Sequence, residues 1–484
     1  MNSYHKTLLP ALLTGLMTIL LSGCDKFLDI VPKGQVIPST TSEYRATLNN
    51  GYKQAPGYIL TNMRGITIDP QPDPLGMGLD EYESYKTIYK WEDTDNNSGR
   101  SESYPYYSYY KGIFFANSIL LADTEKVRED DRQDSFRQLR AEAHALRAYY
   151  YFELANLYGP VWSESAKGIS VVPINNTIDT EQSFPPATLE QLYDQILADI
   201  NAAKEEVQVD RYSDPRYRYR FSGEAIYALS SRIHLYRGEW REALDDAVKV
   251  LSISDKLEDL RHTGDKALLP MDYTSEECII SFTPSIKSTI SFSQKLSDQV
   301  AELYEEGDLR IDKYFPVDKD YGYRLRKAVG QTYDCTIRRS EVYLTAAECL
   351  SKLGEDERSA EMLTTLLSQR LSPEALPQAK AKYSTLHGVE MVRFILGERL
   401  KEFAQECGHD WYDFKRSGQP ELRKTIHGEE VVLQDHDPRY VIPLPAEARE
   451  NNPYLSVKYP PRGKGQIVRY TRLLTLTVTN AIEI

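Results

Sequence analysis

Apolar positions along this chain recur mostly at intervals of three and four residues, the spacing of a helix that buries one face. In Arg232 to Ile253, RIHLYRGEWREALDDAVKVLSI, the pattern resolves into two helices. Ile233, Leu235 and Tyr236 close the first, Gly238 offers the left-handed turn that ends it, and Trp240, Ala243, Leu244, Ala247, Val248 and Leu251 line the second. Glu341 to Leu367 repeats the order through Ala346, Ala347, Leu353, Gly354, Ala360 and Leu363, with one extra residue between glycine and alanine. Helices are also predicted over Ser42–Tyr52, Tyr106–Leu121, Phe136–Tyr158 and Val389–Gln405. The third of these lines one face with Leu139, Ala143, Leu146, Tyr150, Leu154 and Leu157 and stops at Gly159-Pro160. After Pro185-Pro186, Thr188 and Gln191 read as a capping box ahead of the stripe Leu189, Leu192, Tyr193, Ile196, Leu197 and Ile200.

The two hairpins resemble tetratricopeptide repeats, in which small residues such as Ala243 and Ala247 let helices approach and a large one such as Trp240 fills the wedge between pairs. A single hairpin cannot bury its apolar face, so further helices must stack on it. The expected fold is therefore mostly α: tetratricopeptide-like repeats in a superhelical scaffold, plus an irregular, loop-rich part with minor β. The expected divisions are N-terminal helices and an aromatic loop over about 25–180, repeat helices over 185–255 and 338–407, and irregular regions over 256–337 and 408–484.

Helical period is lost first between Ala55 and Ser103, which reads as one long loop rich in proline and glycine; loops of that length are usually functional. Eight tyrosines fall between Tyr82 and Tyr110, in a chain with 35 Tyr against 13 Phe and 4 Trp. Those from Tyr106 onward are explained by helix packing, whereas Tyr82, Tyr85 and Trp91 are not. Trp240, Trp411 and Trp162 each have a packing role, so Trp91 is the expected exposed ring, with Asp93 and Asn96 as hydrogen-bonding neighbours. The second break, Arg261 to Ile337, is mixed and offers Tyr321, Tyr323 and Arg324 as assisting ligand contacts.

Residues 1–23 have the form of a signal peptide: Lys6 precedes a 14-residue run from Leu8 to Leu21, short of the ~20 residues that cross a bilayer. The run ends in Leu21-Ser22-Gly23-Cys24, which resembles a bacterial lipobox, so Cys24 is expected to be acylated and to tether the chain. Cys278, Cys335, Cys349 and Cys407 show neither CxxC nor metal-ligand spacing and read as buried thiols, a disulfide remaining open. A net charge of −14 argues against nucleic acid. No HExxH, GxSxG or Walker A motif supports catalysis, although a glycosidase could hold its two carboxylates far apart in sequence. Asp93, Asp95 and Asn97 alternate like a calcium loop, but Gly99 falls one position late and the twelfth place lacks glutamate, so neither metal nor cofactor is expected.

The lipobox followed by CDKFLD, then YKGIFFANSIL, AEAHALRAYYYFELANLYGPV, LYRGEWREA, RRSEVYLTAAECL, GERLKEFAQECGHDWYDFKRSG and IPLPAEARENNPYL, in that order, resembles the SusD/RagB family over nearly the whole mature chain. Two features depart from its pattern: the strand-like tail Ile467–Ile484, and His409 near Trp411 and Asp413. The resemblance implies a lipid-anchored outer-membrane protein facing outside. It would capture a glycan with aromatics of its irregular part and deliver it to a SusC-like TonB-dependent transporter met by its repeat face. A peptide ligand of the RagB kind, or a purely structural repeat lipoprotein, are the alternatives.

Overall fold

The computed structural model describes residues 38–70, 81–92, 104–131, 134–261, 269–284, 294–319, 322–325, 327 and 333–455. Cys24 and the segment before it, Asp93, Asn96, Tyr321 and the tail 467–484 lie outside the described residues. The first helix, α1 (Thr41–Tyr52), begins at a capping box in which Thr40 and Glu43 satisfy each other's backbone N–H groups. Then come α2 (Ile59–Arg64), β1 (Ile68–Pro70) and α3 (Glu81–Tyr89). The long loop expected over Ala55–Ser103 is thus corrected in its described part to two helices and a strand. Six-residue α2 is too short to show a period, while α3 does carry one, since Tyr82, Tyr85 and Ile88 fall three apart among polar residues.

Next, α4 (Tyr106–Leu120) and α5 (Phe136–Tyr158) pack side by side, so closely that a Cβ on Gly112 would overlap the Tyr150 ring. The strands β2 (Ser170–Pro173) and β3 (Pro186–Thr188) pair antiparallel and lead into α6 (Leu189–Glu206), which starts at the Thr188–Gln191 capping box and packs along α5. The first repeat hairpin is α7 (Gly223–Arg237) and α8 (Trp240–Ile253).

The irregular layer follows. It consists of β4 (Cys278–Ile280), β5 (Thr283–Pro284), β6 (Gln294–Leu296), the short helices α9 (Asp298–Ala301) and α10 (Leu309–Tyr314), then β7 (Val317–Asp318), β8 (Gly322–Tyr323), β9 (Tyr333–Asp334) and β10 (Ile337–Arg338). All pairings are antiparallel: β1 with β6, β4 with β10, β5 with β9 and β7 with β8. The second hairpin is α11 (Arg339–Lys352) and α12 (Asp356–Leu367), with α11 also packed on α8. Then come α13 (Ala375–Tyr383), α14 (Val389–Glu402), α15 (His409–Arg416), the β11 (Leu422–Ile426) and β12 (Glu429–Leu433) hairpin, and α16 (Ala446–Asn451).

The hairpins share their devices. Gly238 and Gly354 both adopt left-handed φ, +76° and +79°, where an L side chain is strained. In each, a serine hydroxyl donates to an alanine carbonyl of the opposing helix, Ser231 to Ala243 at 2.7 Å and Ser359 to Ala347 at 2.8 Å, a contact that only small neighbours permit. Trp240 departs from the wedge expected of it. It is only half-buried, with the Lys352 ammonium 5.4 Å from its ring centre. The four described cysteines are buried free thiols.

Scaffold and irregular layer are joined by buried charge. Glu402, at the end of α14, receives Arg338 at 2.6 Å, Arg370 at 3.0 Å and Arg310 at 3.4 Å. Burial raises its pKa, and the three guanidiniums outweigh burial and hold the carboxyl well below the usual range. Glu277, next to β4, continues the network to Arg370 at 2.5 Å and Arg338 at 3.3 Å.

Candidate functional site

Trp91 is an interior ring, 1% exposed, which corrects its expected role as the exposed stacking platform. Its indole N–H donates to the Arg64 carbonyl at 2.8 Å, and the Lys424 ammonium lies 4.2 Å from its ring centre. The backbone explains the position. Trp91 N–H donates to Ile88 and Glu92 N–H to Thr87, the paired bonds that close a helix C-terminus, and Trp91 takes the left-handed place, φ +56°, that glycine usually fills. Indole burial offsets that strain. Tyr82 lies in α3, and Tyr85 on the same helix is half-buried against the core. Tyr323 and Arg324 are half-buried at β8; Tyr323 pairs with Val317, and the Arg324 N–H donates to Pro316 at 3.2 Å.

These residues meet only indirectly. Gly322 of β8 lies against Lys295 of β6, β6 pairs with β1, and Lys424 of β11 covers Trp91. Lys295 and Lys424 line a polar cleft of about 570 Å³ between β1, β6 and the β11–β12 hairpin. In it Lys295 bridges Asp69 at 3.2 Å and Asp298 at 3.0 Å, so its charges are already matched.

A groove of about 450 Å³ suits a sugar better, and none of the residues expected from sequence lines it. One wall is the C-terminal turn of α1, with Asn49, Tyr52 and Lys53. The others come from the Pro215–Tyr217 turn, from Tyr219, from Tyr273 and Phe282, and from Tyr333. Tyr273 and Tyr333 are 37% and 41% exposed, so their faces are open to a ligand. Tyr52 and Phe282 form the buried base, their ring centres 5.5 Å apart and edge to face, and Tyr219 packs edge-on to Tyr52 at 5.5 Å.

The backbone under each open ring is fixed, and the base ring is hydrogen-bonded. Buried Arg218 donates to the carbonyls of Tyr273 at 3.3 Å and Ser275 at 2.5 Å, fixing the turn that carries Tyr273. Tyr333 is placed by β9, whose register sets it opposite Pro284. The Tyr52 hydroxyl donates to Glu142 at 3.0 Å and accepts from the Phe221 N–H at 3.0 Å. Glu142 belongs to a buried cluster with Arg45 at 2.7 Å and Arg220 at 3.1 Å; burial raises its pKa, but both arginines pull the carboxyl down to about 2, so it stays an acceptor. Such a groove offers preorganised ring faces edged by an amide, an ammonium and a guanidinium, the surface that sugar C–H faces and hydroxyls require. Among the described residues no His, Cys, Asp and Glu group could hold a metal, and Asp93, Asp95 and Asn97 lie outside them.

Sequence reasoning missed Tyr273 and Tyr333 because each is one tyrosine among 35, with no local pattern. The usable signal was their place in the segment that loses helical period.

A SusD-like family model described as starch-binding and associating with the outer membrane matches residues 26–235, and the SusD family model matches 288–460. The chain belongs to the SusD family. This family comprises carbohydrate-binding, non-catalytic proteins associated with the outer membrane, which sets aside the glycosidase alternative. A curated relative, SusD-like protein P38 of Formosa agariphila, is 22% identical over 449 residues, covering 76% of this chain and 82% of the relative. Among solved structures, a putative sugar binding protein from Bacteroides vulgatus superposes with TM-score 0.71 at 19% identity, over 87% of this chain and 98% of that one. A SusD superfamily protein from Bacteroides thetaiotaomicron superposes with TM-score 0.68 at 20% identity, over 86% and 98%. At these identities the likeness establishes the SusD fold.

Proposed function

We propose that this SusD-family protein captures an oligosaccharide at the cell surface in the tyrosine-lined groove and hands it to a SusC-like TonB-dependent transporter. The observation that carries this is the open pair Tyr273 and Tyr333 above the buried Tyr52–Phe282 base. Two apolar faces at fixed places can stack on sugar rings without first being ordered.

Removing one stacking ring worth ~1–2 kcal/mol weakens binding about five- to thirtyfold. Titration calorimetry of Tyr273→Ala and Tyr333→Ala against the glycan bound by the wild type is therefore expected to show that loss, with melting temperatures near wild type because both rings are partly exposed. Unchanged affinity in both variants removes the groove from the function.

Tethering is assigned to Cys24. No helix among the described residues is long and apolar enough to cross a membrane, and several acyl chains on one cysteine would meet the need for more than one chain in stable anchoring. Cys24→Ala is expected to move the protein from washed membranes to the soluble fraction in cells lacking the transporter. Persistence in the pellet contradicts the anchor.

A further inference from the structure

The groove's edge carries an ammonium, a guanidinium and an amide beside tyrosine hydroxyls that both donate and accept. Lys53 is exposed and has no ion-pair partner among the described residues. Arg216 spends its Nε and Nη2 on Asp214, the latter at 2.6 Å, and its Nη1 has no partner among the described residues. Asn49 accepts the Tyr219 hydroxyl on its Oδ1 at 3.1 Å, which leaves its Nδ2 to donate. The Ser281 hydroxyl is committed to the Asp334 carbonyl at 2.8 Å. Among the described residues no carboxylate lines the groove. Acids close to the lining residues are engaged elsewhere: Asp214 with Arg216, Asp272 with the Thr274 N–H and hydroxyl, and Glu142 and Asp134, behind the Tyr52 base, with Arg45 and Arg220.

In a chain of net charge −14, Lys53 thus brings to the groove a positive charge with no ion-pair partner among the described residues, and Arg216, its charge matched by Asp214, adds a free Nη1 donor. A neutral glycan offers hydroxyls that both donate and accept, and a wall for it would mix carboxylates with amides. A wall of donors and cations complements an acceptor-only group with charge. Resting on the glycan-capture reading above, we infer that the ligand is an anionic oligosaccharide, with carboxylate or sulfate substituents met by Lys53 and Arg216 while its rings stack on Tyr273 and Tyr333. The local positive potential also draws such a ligand into the groove against the overall charge of the protein.

Calorimetric titration with three defined pools tests this: neutral malto-oligosaccharides, oligogalacturonates and sulfated galactan oligosaccharides. An anionic pool is expected to bind at least about tenfold tighter than the neutral one, with affinity falling as NaCl rises from about 50 to about 500 mM. Which of the two anionic pools binds separates carboxylate from sulfate. Lys53→Met is expected to weaken that binding about five- to tenfold and Lys53→Arg to retain it. Equal or tighter binding of the neutral pool, insensitive to salt, overturns the anionic inference while leaving glycan capture standing. Failure of both anionic pools to bind also overturns it. If an anionic pool binds but Tyr273→Ala and Tyr333→Ala bind it as well as wild type does, the groove itself is wrong and both ideas fall.

Discussion

Glu402→Ala is expected to lower the free energy of unfolding by roughly 3–5 kcal/mol, the range for removing one partner of a buried charge network. The carboxylate is fully buried and, among the described residues, is the one acceptor that Arg310, Arg338 and Arg370, themselves buried, share. Its removal takes one negative charge from the buried network in which Asp308 and Glu398 also reach Arg310, Glu277 and Glu406 reach Arg338, and Glu277 reaches Arg370. Arg338 opens α11, Arg370 follows α12, and Arg310 belongs to α10 of the irregular layer. Loss of Glu402 thus loosens the joint between the repeats and the layer that carries Tyr273 and Tyr333. Equilibrium denaturation is the measurement. A change below about 1 kcal/mol would mean that the arginines are held by Glu277, Glu398 and Glu406 without it.

The second large effect separates Trp91 from the groove. Trp91→Ala is expected to destabilise the fold by roughly 3–5 kcal/mol, as for other large buried rings, while the folded protein keeps its glycan affinity. Trp91→Gly is expected to be about 1 kcal/mol milder, because glycine relieves the left-handed backbone at φ +56° even though the same ring is lost. Tyr333→Ala is its converse, with affinity lost and stability kept. Denaturation curves for both Trp91 variants, with titrations run where each is folded, settle the assignment. A Trp91→Ala protein of wild-type stability and lost affinity would return this ring to the ligand.

Trp91 also shows where reading the sequence stops. Its loop-like neighbours and the elimination of Trp162, Trp240 and Trp411 pointed to an exposed ring, but what covers Trp91 comes from elsewhere in the chain: the Arg64 carbonyl and the ammonium of Lys424. Conversely Trp240, expected to be deeply wedged, is only half-buried. A side chain's burial is a sum over partners distant in sequence, and no window around the residue contains them.

What the sequence determined by itself is local in its physics. The Phe136–Tyr158 helix, the Thr188–Gln191 capping box and the turns at Gly238 and Gly354 each depend on residues three to five apart, so their patterns could be read directly. The mostly α fold followed, because paired helices with small residues between them must stack. The groove is different. Asn49 of α1, Lys53 just after it, the Pro215–Tyr217 turn, Tyr273 and Tyr333 become one wall only when β5 pairs with β9 and Arg218 fixes the turn before β4. Tertiary structure alone chose which tyrosines face solvent, because exposure is what remains after every long-range contact has been made.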